Sequence, residues 1–176
     1  MEPDSLADYE KKHPDLRKVT LCYLINKDRH EVLLAMKKRG FGEGWWNGVG
    51  GKLNDGETVE EALIRETREE IGVELISFKK IGVIAFYFEG AKASGFDQEV
   101  NVYLADSWRG SPKESEEMRP QWFNMDKLPF DMMWPDDRYW LGNALKGNYI
   151  SASFLFDSNG NIKENNIGPK PKVRIR

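Results

Sequence analysis

The sequence predicts one mixed α/β domain, and three observations carry that reading. Short apolar, β-branched segments alternate with polar or glycine-rich turns, as strands do. Two longer segments open with helix-start signals. Neighbouring strands lie close enough in sequence to pair as hairpins, with helices interspersed among them. The 176 residues suit a single domain with a real core, and 40% hydrophobic with 31% charged residues is a globular balance.

Residues 1–18 are polar and interrupted by Pro3 and Pro14, which reads as a loosely held arm. Val19 to Ile25 is rich in apolar and β-branched residues and reads as a strand. Asn26 to His30 makes a polar turn into a returning strand, Glu31 to Met36, completing a hairpin. Residues 40–56 then carry seven glycines, a density that marks unusual dihedrals or close approach to a ligand. Thr58 with Glu61 forms a capping box, so a helix should run from there to about Ile71, stopped by Gly72. Strands follow at Phe78 to Phe88, Glu99 to Ala105 and Gln121 to Asn124. Pro135 suits the first turn of a second helix reaching about Lys146, and Ser153 to Phe156 reads as the last strand. The domain therefore spans 19–157, and 158–176 is a tail that ends in basic residues.

Several function classes are disfavoured. With 26 Lys+Arg against 29 Asp+Glu the net charge is −3, so stable nucleic-acid binding or attachment to an anionic membrane is not expected. Cys22 is the only cysteine, which excludes an internal disulfide framework and a multi-thiolate zinc site. The N-terminal residues lack a secretory pattern, and no apolar run approaches the roughly 20 residues that span a bilayer. A cytoplasmic location is the expectation.

The first helix holds the strongest chemical clue. With Val59 at zero and steps of about 100° per residue, Ala62 lies near −60°, Leu63 near +40°, Glu66 near −20°, Glu70 near +20° and Glu69 near −80°. Two glutamates therefore share the apolar stripe, where paired carboxylates repel and are costly to bury. A divalent cation such as Mg²⁺ would compensate, since hard cations take oxygen ligands and keep substrate phosphates in their shell. A solvated helix with Glu–Arg pairs explains the wheel alone as well. The glycine loop that precedes the helix favours the metal-bearing alternative.

Gly51, five residues, Glu57, seven residues and then Arg65-Glu66-Thr67-Arg68-Glu69-Glu70-Ile71-Gly72-Val73 resembles the 23-residue box of the Nudix hydrolases. Thr67 departs from the pattern, where the family usually has an aliphatic residue. The resemblance implies the Nudix fold, a mixed β-sheet sandwiched between helices, and cleavage of a nucleoside diphosphate linked to another group. It also implies Mg²⁺ as cofactor, with Mn²⁺ as an alternative. Glu66, Glu69 and Glu70 become catalytic metal ligands, the Gly50 carbonyl a further ligand, and Glu57 and Arg65 braces. Glu117, within Glu114 to Pro120, resembles a segment that completes the metal site; read on its own it is a charged solvent loop.

Further segments are similar to the Nudix subgroup acting on oxidised purine nucleoside triphosphates such as 8-oxo-dGTP and 2-hydroxy-dATP. They are Met36 to Gly42, Trp46 to Lys52, Glu116 to Pro120 and Met133 to Trp140. By that resemblance Trp134 stacks on the purine beside Pro135, while Asn47, Asp136 and Asp137 read its polar edge. Thr20, Lys37, Val49, Gly50, Gly51 and Lys52 line the nucleotide site, and Phe41 and Phe86 form apolar walls. Gln98 falls where the subgroup has a Met. Taken alone, Trp134 to Asp137 is equally a turn and helix start, and the tryptophans and phenylalanines are equally core. Other Nudix substrates, namely dinucleoside polyphosphates or nucleotide sugars, and a non-catalytic nucleotide sensor remain open. The implied partner is a small nucleotide, bound by a monomer.

Overall fold

Strand β1 (Arg17–Asn26) alternates its side chains between two separate cores, and the whole architecture follows from that alternation. Val19, Tyr23 and Ile25 face one way, and Cys22 and Leu24 the other. The computed structural model describes residues 2, 4–90 and 94–168. In chain order the other elements are α1 (Leu6–Lys12), before β1, then β2 (Glu31–Lys37), β3 (Trp46–Asn47), α2 (Val59–Ile71), β4 (Glu74–Phe88) and β5 (Gln98–Arg109). β6 (Met118–Asn124), α3 (Asp137–Leu145), β7 (Ile150–Phe156) and β8 (Ile162–Gly168) complete it.

The strands form one mixed sheet in the order β3-β2-β1-β5-β4-β7-β8, with β6 on the other edge of β2. β1 runs parallel to β5 and β4 parallel to β7, while β4–β5, β7–β8 and β2–β6 are antiparallel. Helix α3 buries Trp140, Leu141, Ala144 and Leu145 against one face, and α2 buries Leu63 and Ile71 against the other. The expected mixed sheet between helices is therefore present.

The capping box at Thr58 and Glu61 holds, and Gly72 ends α2 in the left-handed conformation at φ 73°. Thr67 is fully buried, and its hydroxyl donates to the Leu63 carbonyl at 2.8 Å, so the polar group in the stripe is satisfied within the helix.

The two ends differ from the sequence reading. Instead of a loose arm, residues 6–12 form α1, capped by Ser5 and Asp8, with Leu6 buried beside Tyr87 and Leu155. It covers the part of the sheet that α2 does not reach. Within the expected tail, β8 pairs along β7; the basic residues 169–176 lie outside the described residues. Among the described residues no helix is long and apolar enough to cross a membrane.

β1 and β2 pair only at their turn, through Ile25–Val32 and Asn26–Glu31. Beyond it they splay, and the glycine segment enters the gap. Trp46 and Asn47 pair with β2, then Val49 and Lys52 bridge to Cys22 and Val19 of β1. That wedge opens the functional cleft.

Candidate active site

Close backbone approach explains two glycines of the wedge. A Cβ on Gly48 would lie 2.8 Å from the Cys22 carbonyl oxygen, and one on Gly50 only 1.8 Å from that of Thr20. Gly51 serves the helix instead: its Cβ would lie 2.5–2.7 Å from the carboxylate atoms of Glu66. The Gly50 N–H donates to Glu70 Oε2 at 3.1 Å, tying the ribbon to α2.

Glu70 is buried within α2. Burial and the nearby Glu66 push its carboxyl up to about 8, against the opposing effect of the Gly50 N–H. Arg65 organises the neighbouring acids. It donates to both oxygens of Glu57 at 2.7 and 2.9 Å, to Glu66 at 2.7 Å, to Glu69 at 3.2 Å and to the Lys52 carbonyl at 3.0 Å. Its guanidinium, with the Asn54 N–H, holds the Glu57 carboxyl down at about 2. Glu117 pairs with Arg39 at 3.0 Å.

The five expected metal-binding positions therefore lie around one end of the ribbon without converging. Among the described residues no three carboxylate, histidine or cysteine side chains form a ready metal cluster. Like charges repel, and each exposed glutamate turns to the nearest guanidinium. The donor set nonetheless fits a hard cation. It is oxygen only, it includes a buried carboxylate beside a second one, and Gly51 leaves room for Glu66.

On the other side of the ribbon lies a cleft of about 370 Å³. Of the expected substrate-binding residues, Thr20, Lys37, Phe41, Asn47, Gly50, Gly51, Lys52, Phe86, Trp134, Asp136 and Asp137 line it. Val49 does not, because its side chain points into the core under α2. Pro135 also stays off the lining, one residue before Asp136, which leads into α3.

Asp136 and Asp137 are both 2% exposed. Asp136 Oδ2 accepts from Trp140 Nε1 at 2.8 Å, whereas Asp137 Oδ2 is buried with no hydrogen-bond partner among the described residues. Burial raises both carboxyls above the ordinary aspartate range, and Asp136 beside Asp137 raises the latter further. Asn47 Oδ1 accepts from Tyr23 Oη at 3.2 Å and from the Gly48 N–H at 2.8 Å, which leaves its amide N–H groups for the cleft. Aromatic rings form the wall. Trp134 packs on Phe41 at 5.0 Å and Trp45 at 5.8 Å between centroids, with Phe88 and Phe156 edge-on.

The glycine ribbon, the capped acidic helix and the cleft beside them make a recognisable unit, and the NUDIX domain family matches residues 15–143. The chain belongs to the Nudix family. This Nudix domain is similar to the mouse (Mus musculus) oxidized purine nucleoside triphosphate hydrolase, with 44% identity over 146 residues, 83% of this chain and 90% of that protein. The zebrafish (Danio rerio) protein of the same name is also 44% identical, over 149 residues, covering 85% of this chain and 92% of its own. Among solved structures, the MutT protein from Bacillus halodurans superposes with a TM-score of 0.74 at 23% identity, covering 89% of this chain and 100% of that one. The fold is thus the Nudix fold and the protein a Nudix hydrolase; such hydrolases act on nucleotide-type substrates and generally use divalent metal ions.

Some lining residues had not been expected to bind substrate: Arg17, Trp45, Phe88 and Phe96. Phe88 was legible, since it follows Phe86 by two along β4 and must share its face. Phe96 was not, because the stretch before β5 carries no periodic pattern.

Proposed function

We propose that this Nudix hydrolase is a Mg²⁺-dependent pyrophosphohydrolase of oxidised purine nucleoside triphosphates. It releases the monophosphate and pyrophosphate and clears damaged nucleotides from the cytoplasmic pool. The carrying observation is the pair of buried carboxylates, Asp136 and Asp137, set beside the Asn47 amide in an aromatic cleft. A flat aromatic face holds any base, so polar groups must choose among them. Burial raises both carboxyls, so the adjacent pair can share a proton, one donating while the other accepts. That pairing suits the altered edges of 8-oxo-guanine and 2-hydroxy-adenine. The names of the 44% identical mouse and zebrafish proteins support the same substrate class.

The purine would lie against Trp134, with Phe41 and Phe86 as walls. Thr20, Lys37, Gly50, Gly51 and Lys52 line the side nearer α2, where two lysines and backbone amides suit phosphates. Glu66, Glu69, Glu70, Glu117 and the Gly50 carbonyl would hold Mg²⁺, or Mn²⁺ in its place. When bound, the cation neutralises phosphate charge and lowers the pKa of the attacking water. A carboxylate among Glu66, Glu69 and Glu70 accepts the water's proton as the α–β anhydride bond breaks and pyrophosphate leaves. Arg65 keeps these acids in place through Glu57 and the Lys52 carbonyl. The substrate is a small nucleotide, bound by a monomer. The single free, buried cysteine suits a reducing compartment.

The test is product analysis with 8-oxo-dGTP, 2-hydroxy-dATP, dGTP and a dinucleoside polyphosphate in Mg²⁺. Monophosphate and pyrophosphate should form fastest from the oxidised purines. Hydrolysis confined to the dinucleotide, or to none of them, sinks the assignment.

A further inference from the structure

Two large rings at the cleft remain half open to solvent. Phe41 is 40% and Phe96 37% exposed, and they stack on each other at 4.2 Å with planes 10° apart. Phe41 leans in turn on Trp134 at 5.0 Å, so Phe96, Phe41 and Trp134 form a stacked row along the cleft with the exposed Phe96 at its end. Phe96 contributes little to the folded core, for it belongs to none of the buried clusters. Solvent exposure of such rings costs free energy that a flat ligand would recover.

The turn that presents Phe96 is held from both flanks. Arg17 Nη2 donates to the Gly95 carbonyl at 3.0 Å. Asp97 Oδ1 accepts the Phe88 N–H at 2.9 Å. Asp97 Oδ2 is buried without a hydrogen-bond partner among the described residues, an expense that a solvent loop has no reason to carry. Phe88, the residue that Asp97 grips, also lines the cleft and packs edge-on against both Phe41 and Trp134. The anchoring thus fixes Phe96 relative to the aromatic wall.

We propose that Phe96 is a substrate-binding residue, adding its exposed ring to the aromatic wall of Trp134 and Phe41 as a further contact for the purine, with Asp97 and Arg17 as its positioning residues. The inference rests on the purine reading above. Stacking does not distinguish one purine from another, because every base presents a π-face. Phe96 therefore supplies affinity, and discrimination stays with Asn47, Asp136 and Asp137.

The experiment measures steady-state kinetics for 8-oxo-dGTP and dGTP, together with equilibrium binding of dGMP by tryptophan quenching, on wild type, Phe96→Ala and Phe96→Tyr. Phe96→Ala should raise KM for both triphosphates and weaken dGMP binding by about tenfold, with kcat held within about twofold. Phe96→Tyr should restore binding. Unchanged KM and unchanged dGMP affinity overturn the proposal, as does a rise confined to one triphosphate or a tyrosine variant as impaired as alanine. A wild type that binds dGMP through Phe96 but hydrolyses neither triphosphate leaves this inference standing and removes the assigned reaction. A wild type that binds neither removes both.

Discussion

At Asp137 a carboxylate oxygen is buried beside a second carboxylate and has no hydrogen-bond partner among the described residues. Burial and the neighbouring Asp136 favour the protonated form of the group. Both Asp136 and Asp137 have pKa values raised above the ordinary value of 3.8, so the folded state binds their protons more tightly than the unfolded chain does. Their contribution to stability is full below about pH 4 and is lost as pH rises through the folded-state values. Asp137→Asn removes one titration while keeping shape and a donor. Its thermal midpoint should fall less than the wild type's between pH 5 and 8, measured by calorimetry; parallel curves would show that Asp137 ionises freely. A fixed amide cannot exchange donor for acceptor, so the ratio of kcat/KM for 8-oxo-dGTP against 2-hydroxy-dATP should shift by about tenfold or more. At this scale the sequence was informative wherever a residue's type was unusual for its place. Glu70 in an apolar stripe and two adjacent aspartates after a tryptophan were both visible. The orphaned oxygen of Asp137 was not, because it depends on how α3 closes against the sheet.

Among the elements, the glycine segment has the most restricted chemistry. Gly50 and Gly56 test different physical causes. Gly56 has φ 79° with nothing within 4 Å of an added Cβ, so Gly56→Ala meets only backbone strain, about 1–2 kcal/mol. At Gly50 the added carbon would lie 1.8 Å from the Thr20 carbonyl oxygen, and the ribbon must leave β1 to admit it. Gly50→Ala should lower the midpoint by about 5–10 °C and displace the N–H that meets Glu70, with turnover falling further than the lost folded fraction explains. A variant whose activity simply tracks its folded fraction would refute that link. Elements with strong local signals were legible: β1, β2, α2 with its cap, and α3. α1 and β8 were not. Seven residues of α1 carry too little periodicity to stand out, and Leu6 acquires its burial only from Tyr87 and Leu155. β8 is largely polar and exists because the edge of β7 is there to pair with it. β3 is two residues long and is defined by β2.

For the molecule as a whole, the ribbon between β1 and β2 joins two chemistries that lie on opposite faces of the sheet. On one face α2 carries the acids, and on the other α3 closes the cleft floor with Asp137 and Trp140. Gly50 touches both, lining the cleft while its N–H donates to Glu70. A divalent cation at Glu70 would relieve the repulsion from Glu66 that helps to raise its carboxyl, and it would do so only in the folded state. Binding confined to the folded state stabilises it by about 2.7 kcal/mol at a hundredfold excess over Kd. For a chain of this size that corresponds to a rise of about 5–10 °C. Mg²⁺ without nucleotide should therefore raise the wild-type midpoint, and Glu70→Gln should abolish most of the rise along with turnover. The glutamine keeps the Gly50 hydrogen bond, so the variant's own stability should equal or exceed that of the wild type without Mg²⁺. An identical Mg²⁺ shift in both proteins would place the cation elsewhere and detach α2 from the metal chemistry. Mg²⁺ and dGMP together should raise the midpoint by more than the two separate shifts combined, because their sites meet at one glycine. Simple additivity would mean that the ribbon holds the two sites without coupling them.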